Sequence, residues 1–113
     1  MPLLFSYGTL QLPAVQQATY GRLLEGRPDV LAGYRLAELI ISNPRVVSAS
    51  GKTVHSIARH SGDPDDRIMG LCFQVSEEEL AASDRYEVDA YVRAEVQLES
   101  GLLAFVYAQS PAS

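Results

Sequence analysis

Glu87 falls where a capped helix should end and a strand should begin, between Tyr86 and Val88. A carboxylate at a helix C-terminus meets the negative end of the helix dipole. Its neighbours Tyr86, Val88 and Tyr91 withdraw water from it, and both effects raise a carboxyl pKa. A carboxyl group poised nearer neutrality is the kind that accepts and returns protons in catalysis. A solvated helix-end glutamate paired with Arg85 or Arg93 accounts for the same residue, because most charged side chains stay in water. The second candidate is Tyr7-Gly8-Thr9-Leu10, a glycine directly after a short apolar strand. A sharp bend there leaves successive amide N–H groups without strand partners, a nest suited to a carboxylate or a developing oxyanion. A plain strand-to-loop turn has the same sequence.

Other catalytic constellations are missing. Gly8 stands alone, so no glycine-rich phosphate loop follows the first strand, and the sequence has neither a nucleophile-elbow serine nor a CxxC pair. His55 and His60 lie five positions apart in a predicted strand and so point to opposite faces. With Asp63, Asp65 and Asp66 they do not supply three or four convergent ligands, and no metal is expected. The aspartates read as a solvated turn. Cys72, the single cysteine, sits in an apolar strand without basic neighbours and reads as a buried, unreactive thiol.

The elements that must position Glu87 and the Gly8 turn are legible in part. Leu3–Tyr7 reads as a buried strand halted by Gly8, and Pro13 opens a helix over Ala14–Leu24, which Gly26 and Pro28 close. Val30–Ile41 holds apolar residues on both phases and reads as one or two strands. Ser42–Lys52 is a loop, Thr53–His60 a strand, and Gly62-Asp63-Pro64-Asp65-Asp66 a turn. The strand containing Met69, Leu71, Phe73 and Val75 is apolar on both faces, as if buried on both. Ser76-Glu77-Glu78-Glu79 is a capping box that starts a helix running to about Tyr86, with Leu80, Ala81 and Asp84 on one face. Tyr91–Leu98 alternates cleanly and turns through Glu99-Ser100-Gly101 into Leu102–Ala108, a terminal hairpin. Gln109–Ser113 reads as a frayed end.

The expected fold is α+β: a small mixed β-barrel of about six strands flanked by two short helices, in a single domain over residues 1–113. Short, numerous strands curl into closed or half-closed barrels to dispose of their edges. The 113 residues are 47% hydrophobic and 20% charged, an ordinary globular balance. A net charge of −5 argues against nucleic acid. No apolar stretch approaches the roughly 20 residues that span a bilayer, so no membrane association is expected. The start, Met1-Pro2-Leu3-Leu4-Phe5, lacks the basic lead of a secretory signal, and the expected location is cytoplasmic. The oligomeric expectation is a monomer or homodimer.

Phe5-Ser6-Tyr7-Gly8-Thr9-Leu10, then Gly70-Leu71-Cys72-Phe73-Gln74-Val75, then Asp84-Arg85-Tyr86-Glu87 with Tyr91 and Arg93, stand in a telling order. The chain resembles the γ-glutamylcyclotransferase-like (AIG2-like) family over nearly its whole length. That family ends its first strand with Tyr-Gly-Ser/Thr-Leu, ends a helix with Leu-Asp-x-aromatic-Glu, and follows it with a Tyr-x-Arg strand. The resemblance implies a small barrel with a cavity at one end and a γ-glutamyl amide as small-molecule substrate, cyclised to 5-oxoproline without a cofactor. It implies Glu87 as the catalytic acid/base and Tyr7, Gly8, Thr9 and Leu10 as substrate-binding, with Tyr91 and Tyr107 as further pocket residues. Two departures stand out. Ser83 replaces the family's leucine, a packing change, and Val54–His60 replaces a Tyr-Pro-containing segment that lines the cavity. Because a fold does not fix a function, two other readings accompany this one: a non-catalytic ligand-binding barrel, and a γ-glutamyl transferase or hydrolase on the same scaffold.

Overall fold

The computed structural model describes residues 2–40, 54–86 and 91–109. Its elements in chain order are β1 (Leu3–Ser6), a 3₁₀ turn (Thr9–Gln11), α1 (Pro13–Tyr20), β2 (Gly26–Ala32), β3 (Tyr34–Ile40), β4 (Val54–His60), β5 (Arg67–Gln74), α2 (Glu77–Tyr86), β6 (Tyr91–Gln97) and β7 (Leu103–Gln109). The seven strands form one mixed sheet in the order β2-β5-β1-β7-β4-β3, with β6 paired to β7. β1 therefore sits between β5, antiparallel, and β7, parallel. It delivers the Gly8 turn from the middle of the sheet rather than from an edge.

Gly33 (φ 82°) makes the bend between β2 and β3. These two strands follow each other in sequence but pair with different neighbours, β5 and β4, at the two ends of the path. The Gly33 amide donates to the Asp66 carbonyl at 2.9 Å, and its own carbonyl accepts from Ser61 at 2.9 Å, which draws the two ends together. The result is the expected α+β architecture with a strongly curled sheet. Among the described residues β2 and β3 do not pair with each other, so the curl stops short of a closed barrel.

Period-two alternation divides the apolar residues between two cores. Phe5, Ile68, Cys72 and Val106 face the inside of the curl. Leu4, Phe73, Val75 and Tyr107 face the two helices and pack with Leu80 of α2. Phe5, Leu4 and Phe73 are essentially inaccessible to solvent. Cys72 is buried, and loss of water pushes its thiol pKa up, as expected of an inert cysteine.

Four elements differ from the sequence reading. α1 ends at Tyr20, where Gly21 (φ 72°) adopts a left-handed cap, so it is shorter than Ala14–Leu24. Gly26 and Pro28 lie within β2 rather than closing a loop. β2 is the terminal strand of the path, where a missing proline N–H is tolerated. Met69 is 81% exposed, although apolar residues on both phases of its strand predict burial on most of both sides. The side of α2 that packs inward carries Leu80 and Ser83, while Ala81 is exposed. Ser42–Lys52 and the end beyond Gln109 lie outside the described residues. No helix of the described residues is long and apolar enough to cross a membrane.

The capping box forms as read. The Glu79 amide donates to Ser76 Oγ at 3.0 Å, and the Ser76 amide donates to Glu79 Oε1 at 2.9 Å. Glu79 also receives both arms of Arg22, at 2.6 and 2.8 Å, which clamps the end of α1 to the start of α2. The Arg22 hydrogen bond is the main reason the Glu79 carboxyl is held down to about 2 from its usual 4.5. A folded pKa below the unfolded one means that the unfolded chain takes up this proton first. The clamp's stabilisation is therefore complete above about pH 4.5 and is lost as pH falls towards 2. Thermal midpoints should drop across that window. Glu79→Gln, which keeps the cap acceptor and loses the charge, should start lower at neutral pH and drop less on acidification. A variant that tracks the wild-type midpoints throughout would remove this pair from the acid response.

Candidate active site

The Gly8 turn is built by polar side chains from the segment that follows it. Thr9–Gln11 closes with Gln11 N–H donating to the Gly8 carbonyl at 3.1 Å and Leu12 N–H to the Thr9 carbonyl at 2.9 Å. Gln11 Nε2 donates to the Ser6 carbonyl, and Gln16 Nε2 donates to the Leu10 carbonyl at 2.9 Å. Gln16 is only 4% exposed, and its Oε1 also accepts from the Leu24 amide at 2.9 Å. One buried amide of α1 thus ties the turn before the helix to the segment after it. The first N–H groups of such a helical turn have no partner inside it, and that of Gly8 donates a long 3.4 Å bond to Ser6 Oγ.

Gly8 has φ −137°, outside the left-handed region. A Cβ built on it would meet nothing within 4 Å. Glycine at this position therefore does not answer crowding within the protein. It leaves open space directly over the turn's backbone.

On the sheet side, Tyr7 Oη donates to the Tyr107 carbonyl and accepts from the Ala58 amide at 2.9 Å. One phenol therefore bridges β7 and β4 at a point where their direct pairing is limited to Ala58 opposite Ala108. Tyr107 is 5% exposed. Its hydroxyl donates to Asp84 Oδ1 at 2.7 Å and lies 3.5 Å from the Leu80 carbonyl, beneath α2. Tyr91 is half-buried and donates its hydroxyl to the Ser56 carbonyl at 2.9 Å, so it reaches across to β4.

The far end of α2 meets the turn. The hydroxyls of Thr9 and Tyr86 are hydrogen-bonded at 2.7 Å, although 77 positions separate them. Asp84, in the last turn of this helix, is fixed by Tyr107 and by Arg93 of β6, whose Nη1 is 3.1 Å from Asp84 Oδ2. Arg93 also lies 5.0 Å above the Phe105 ring. Ser83, fully buried, hydrogen-bonds Tyr20 of α1 at 2.6 Å and donates to the Glu79 carbonyl at 3.0 Å. The serine in place of leucine is thus part of a polar link between the helices rather than a simple change of packing.

Tyr7, Thr9, Leu10 and Gly8 are brought together by the turn, and Thr9 is brought to Tyr86. Tyr107 packs beneath the helix that ends at Tyr86, and Tyr91 begins the next strand. Glu87 itself lies outside the described residues, in the stretch 87–90 that joins Tyr86 to Tyr91. The chain reading did not single out Tyr86, Gln11 or Gln16 as supports. The sequence placed Asp84 on a helix face and offered Arg93 as a partner for Glu87, and the structure pairs the two with each other across 9 positions.

The curled mixed sheet with two helices on one face is a fold shared with several solved structures. A protein from Arabidopsis thaliana of known solution structure aligns with a TM-score of 0.70 at 23% identity, over 96% of this chain and 61% of its own. A structure described as gamma-glutamyl cyclotransferase aligns with a TM-score of 0.74 at 15% identity, over 96% of this chain and 66% of its own. An uncharacterized protein from Pyrococcus horikoshii aligns with a TM-score of 0.64 at 16% identity, over 96% of this chain and 78% of its own. This chain is therefore similar to between about three-fifths and four-fifths of each of those chains. No curated protein matches the sequence. The chain belongs to the family described as Gamma-glutamyl cyclotransferase, AIG2-like, which it matches over residues 4–113.

Proposed function

We propose that this chain cyclises a γ-glutamyl amide, releasing 5-oxoproline and an amine, with Glu87 as acid/base. The observation that carries the reading is the Thr9–Tyr86 hydrogen bond. It brings the Gly8 turn against the residue that immediately precedes Glu87, as a shared site for the two requires. Family membership supports the same chemistry.

In the reaction the substrate's own α-amine attacks its γ-carbonyl. Because the nucleophile is tethered, the protein's first task is to hold the substrate folded. The amine, whose conjugate acid has a pKa of about 7.7–8, must be deprotonated before it attacks. The new C–N bond closes the lactam ring as the old amide C–N bond breaks. Glu87 accepts the proton shed by the attacking nitrogen and returns it to the leaving nitrogen, so no net proton is consumed. The amides of Gly8, Thr9 and Leu10 hold the α-carboxylate or the tetrahedral oxyanion, in the open space over Gly8. Tyr7, Tyr91 and Tyr107 shape the surrounding walls through their bonds to β4, β7 and α2. The site so read needs neither metal nor organic cofactor, and a cytoplasmic setting suits a small γ-glutamyl substrate.

The direct test is formation of 5-oxoproline from a panel of γ-glutamyl amides by the purified protein. Binding without product would favour a ligand-binding module. Glutamate in place of 5-oxoproline would favour a hydrolase. Gly8→Ala probes the turn separately. Its new methyl meets no protein atom within 4 Å, so no clash accompanies the change, and a thermal midpoint measured alongside checks the fold. The methyl occupies the space assigned to the substrate, so KM should rise at least tenfold. An unchanged KM would move the substrate away from the Gly8 backbone.

A further inference from the structure

Arg35 of β3 and Arg59 of β4 stand directly opposite each other in the antiparallel ladder. Directly opposed residues share a face with Cβ atoms only about 5 Å apart, and like charges so placed destabilise a sheet unless something neutralises them. Ala58, their neighbour, packs in the inner core beside Ala108, so Arg59 and its partner Arg35 project to the other face, the one that carries the helices. Both are exposed. Among the described residues Arg22, Arg67 and Arg93 each hold a carboxylate, whereas Arg27, Arg35, Arg59 and Arg85 form no ion pair, and of these four only Arg35 and Arg59 stand opposite each other in a ladder. The chain has 14 acidic residues against 9 Lys and Arg, so an unpaired arginine couple is against its overall balance.

The couple lies beside the candidate site. Along that face of β4 the residue next to Arg59 is Ile57, 4% exposed, and Tyr91 bonds the carbonyl of Ser56 just beyond it. Ser56 and Arg59 are roughly 10 Å apart along an extended strand. Across the sheet Arg59 is one strand from Gln109, which is itself paired with Tyr91. Only a γ-glutamyl group lodged at the turn with its amine portion lying along this face of β4 would bring that portion to the two guanidiniums, and this is the orientation taken for the substrate.

We infer that Arg35 and Arg59 form an anion subsite for the amine portion of the substrate, and that the preferred substrates carry two carboxylates there, as an acidic amino acid does. Two planar forks side by side suit two carboxylates, each able to take a bidentate arm. This inference rests on the cyclisation reading for the place of the glutamyl group, and the test separates the two.

γ-Glutamyl-aspartate and γ-glutamyl-asparagine have nearly the same shape and differ by one negative charge. The wild-type protein should favour the aspartate compound by tenfold or more in kcat/KM, as one charge-assisted hydrogen bond allows. Arg35→Gln and Arg59→Gln should each shrink that ratio, and the double variant should bring it close to one. Thermal midpoints of the variants, measured alongside, check that they fold. Calorimetric binding of the same two compounds reads the subsite independently of turnover. If neither compound yields 5-oxoproline yet the aspartate compound binds more tightly and loses that advantage in the variants, the cyclisation reading fails and the subsite stands. Equal kcat/KM and equal binding for both compounds, or equal losses on both in the variants, would overturn the subsite, as would the absence of any binding.

Discussion

Glu87→Gln should lower 5-oxoproline formation by about a hundredfold or more while leaving substrate binding within a few-fold of wild type. The amide keeps the size and hydrogen-bonding reach of the carboxyl group and loses its capacity to take and return a proton. The loss should therefore appear in kcat, with KM little changed, because the proton is in flight only in the transition state. The variant's residual rate should also lose the limb of the pH profile that reports the carboxyl group. The supports on either side of residue 87 are independent of its charge: Tyr86 is held by Thr9, and Asp84 by Tyr107 and Arg93. A folding defect is thus not the expected cause, and an unaltered thermal midpoint checks this. A variant that turns over at nearly the wild-type rate would eliminate Glu87 as the proton carrier.

Gly70→Ala should be the most disruptive single methyl in the described sheet. A Cβ there would stand 2.4 Å from the Ser6 carbonyl oxygen and 2.8 Å from Cζ of Phe5. Neither can yield cheaply. Phe5 is 1% exposed in the inner core, and the Ser6 carbonyl is backbone at the end of β1, where it accepts from Gln11. Overpacking of this kind costs about 1–3 kcal/mol and sometimes more. For a chain of this size that is a fall of roughly 5–15 °C in thermal midpoint. The displaced atoms are the last of β1 before the Tyr7–Leu10 turn, so turnover measured well below the midpoint should fall as well. Met69→Ala, one residue away and 81% exposed in the wild type, should change the midpoint by no more than a degree or two. Comparable midpoints for the two variants would show that β1 does not press on Gly70 as described.

The capped helix, the terminal hairpin and the strand before Gly8 were legible because each is specified by its own neighbours. Ser76 and Glu79 are three residues apart, and the alternation over Tyr91–Leu98 is continuous. The strand over Gly26–Ala32 was hidden because glycine and proline argue locally for a loop, and only its place at the end of the sheet's path makes them acceptable. The exposure of Met69 was hidden for a related reason. An apolar phase reads as buried, but what covers a strand is decided by where the helices lie. The sheet's failure to close depends on the pairing of β2 with β5 and of β3 with β4, which no local pattern records.

The sequence by itself determined the candidate turn at Gly8, the candidate acid at Glu87, the helix start at Ser76 and the family, because short-range spacing and motif order are properties of the chain. Only the tertiary structure decided that Thr9 meets Tyr86, that Asp84 is shared by Tyr107 and Arg93, and that Arg35 faces Arg59. These partners lie far apart along the chain or on strands whose register is unknown until the sheet forms. Hydrogen bonds and ion pairs act over a few ångströms of space, and sequence distance does not report that separation.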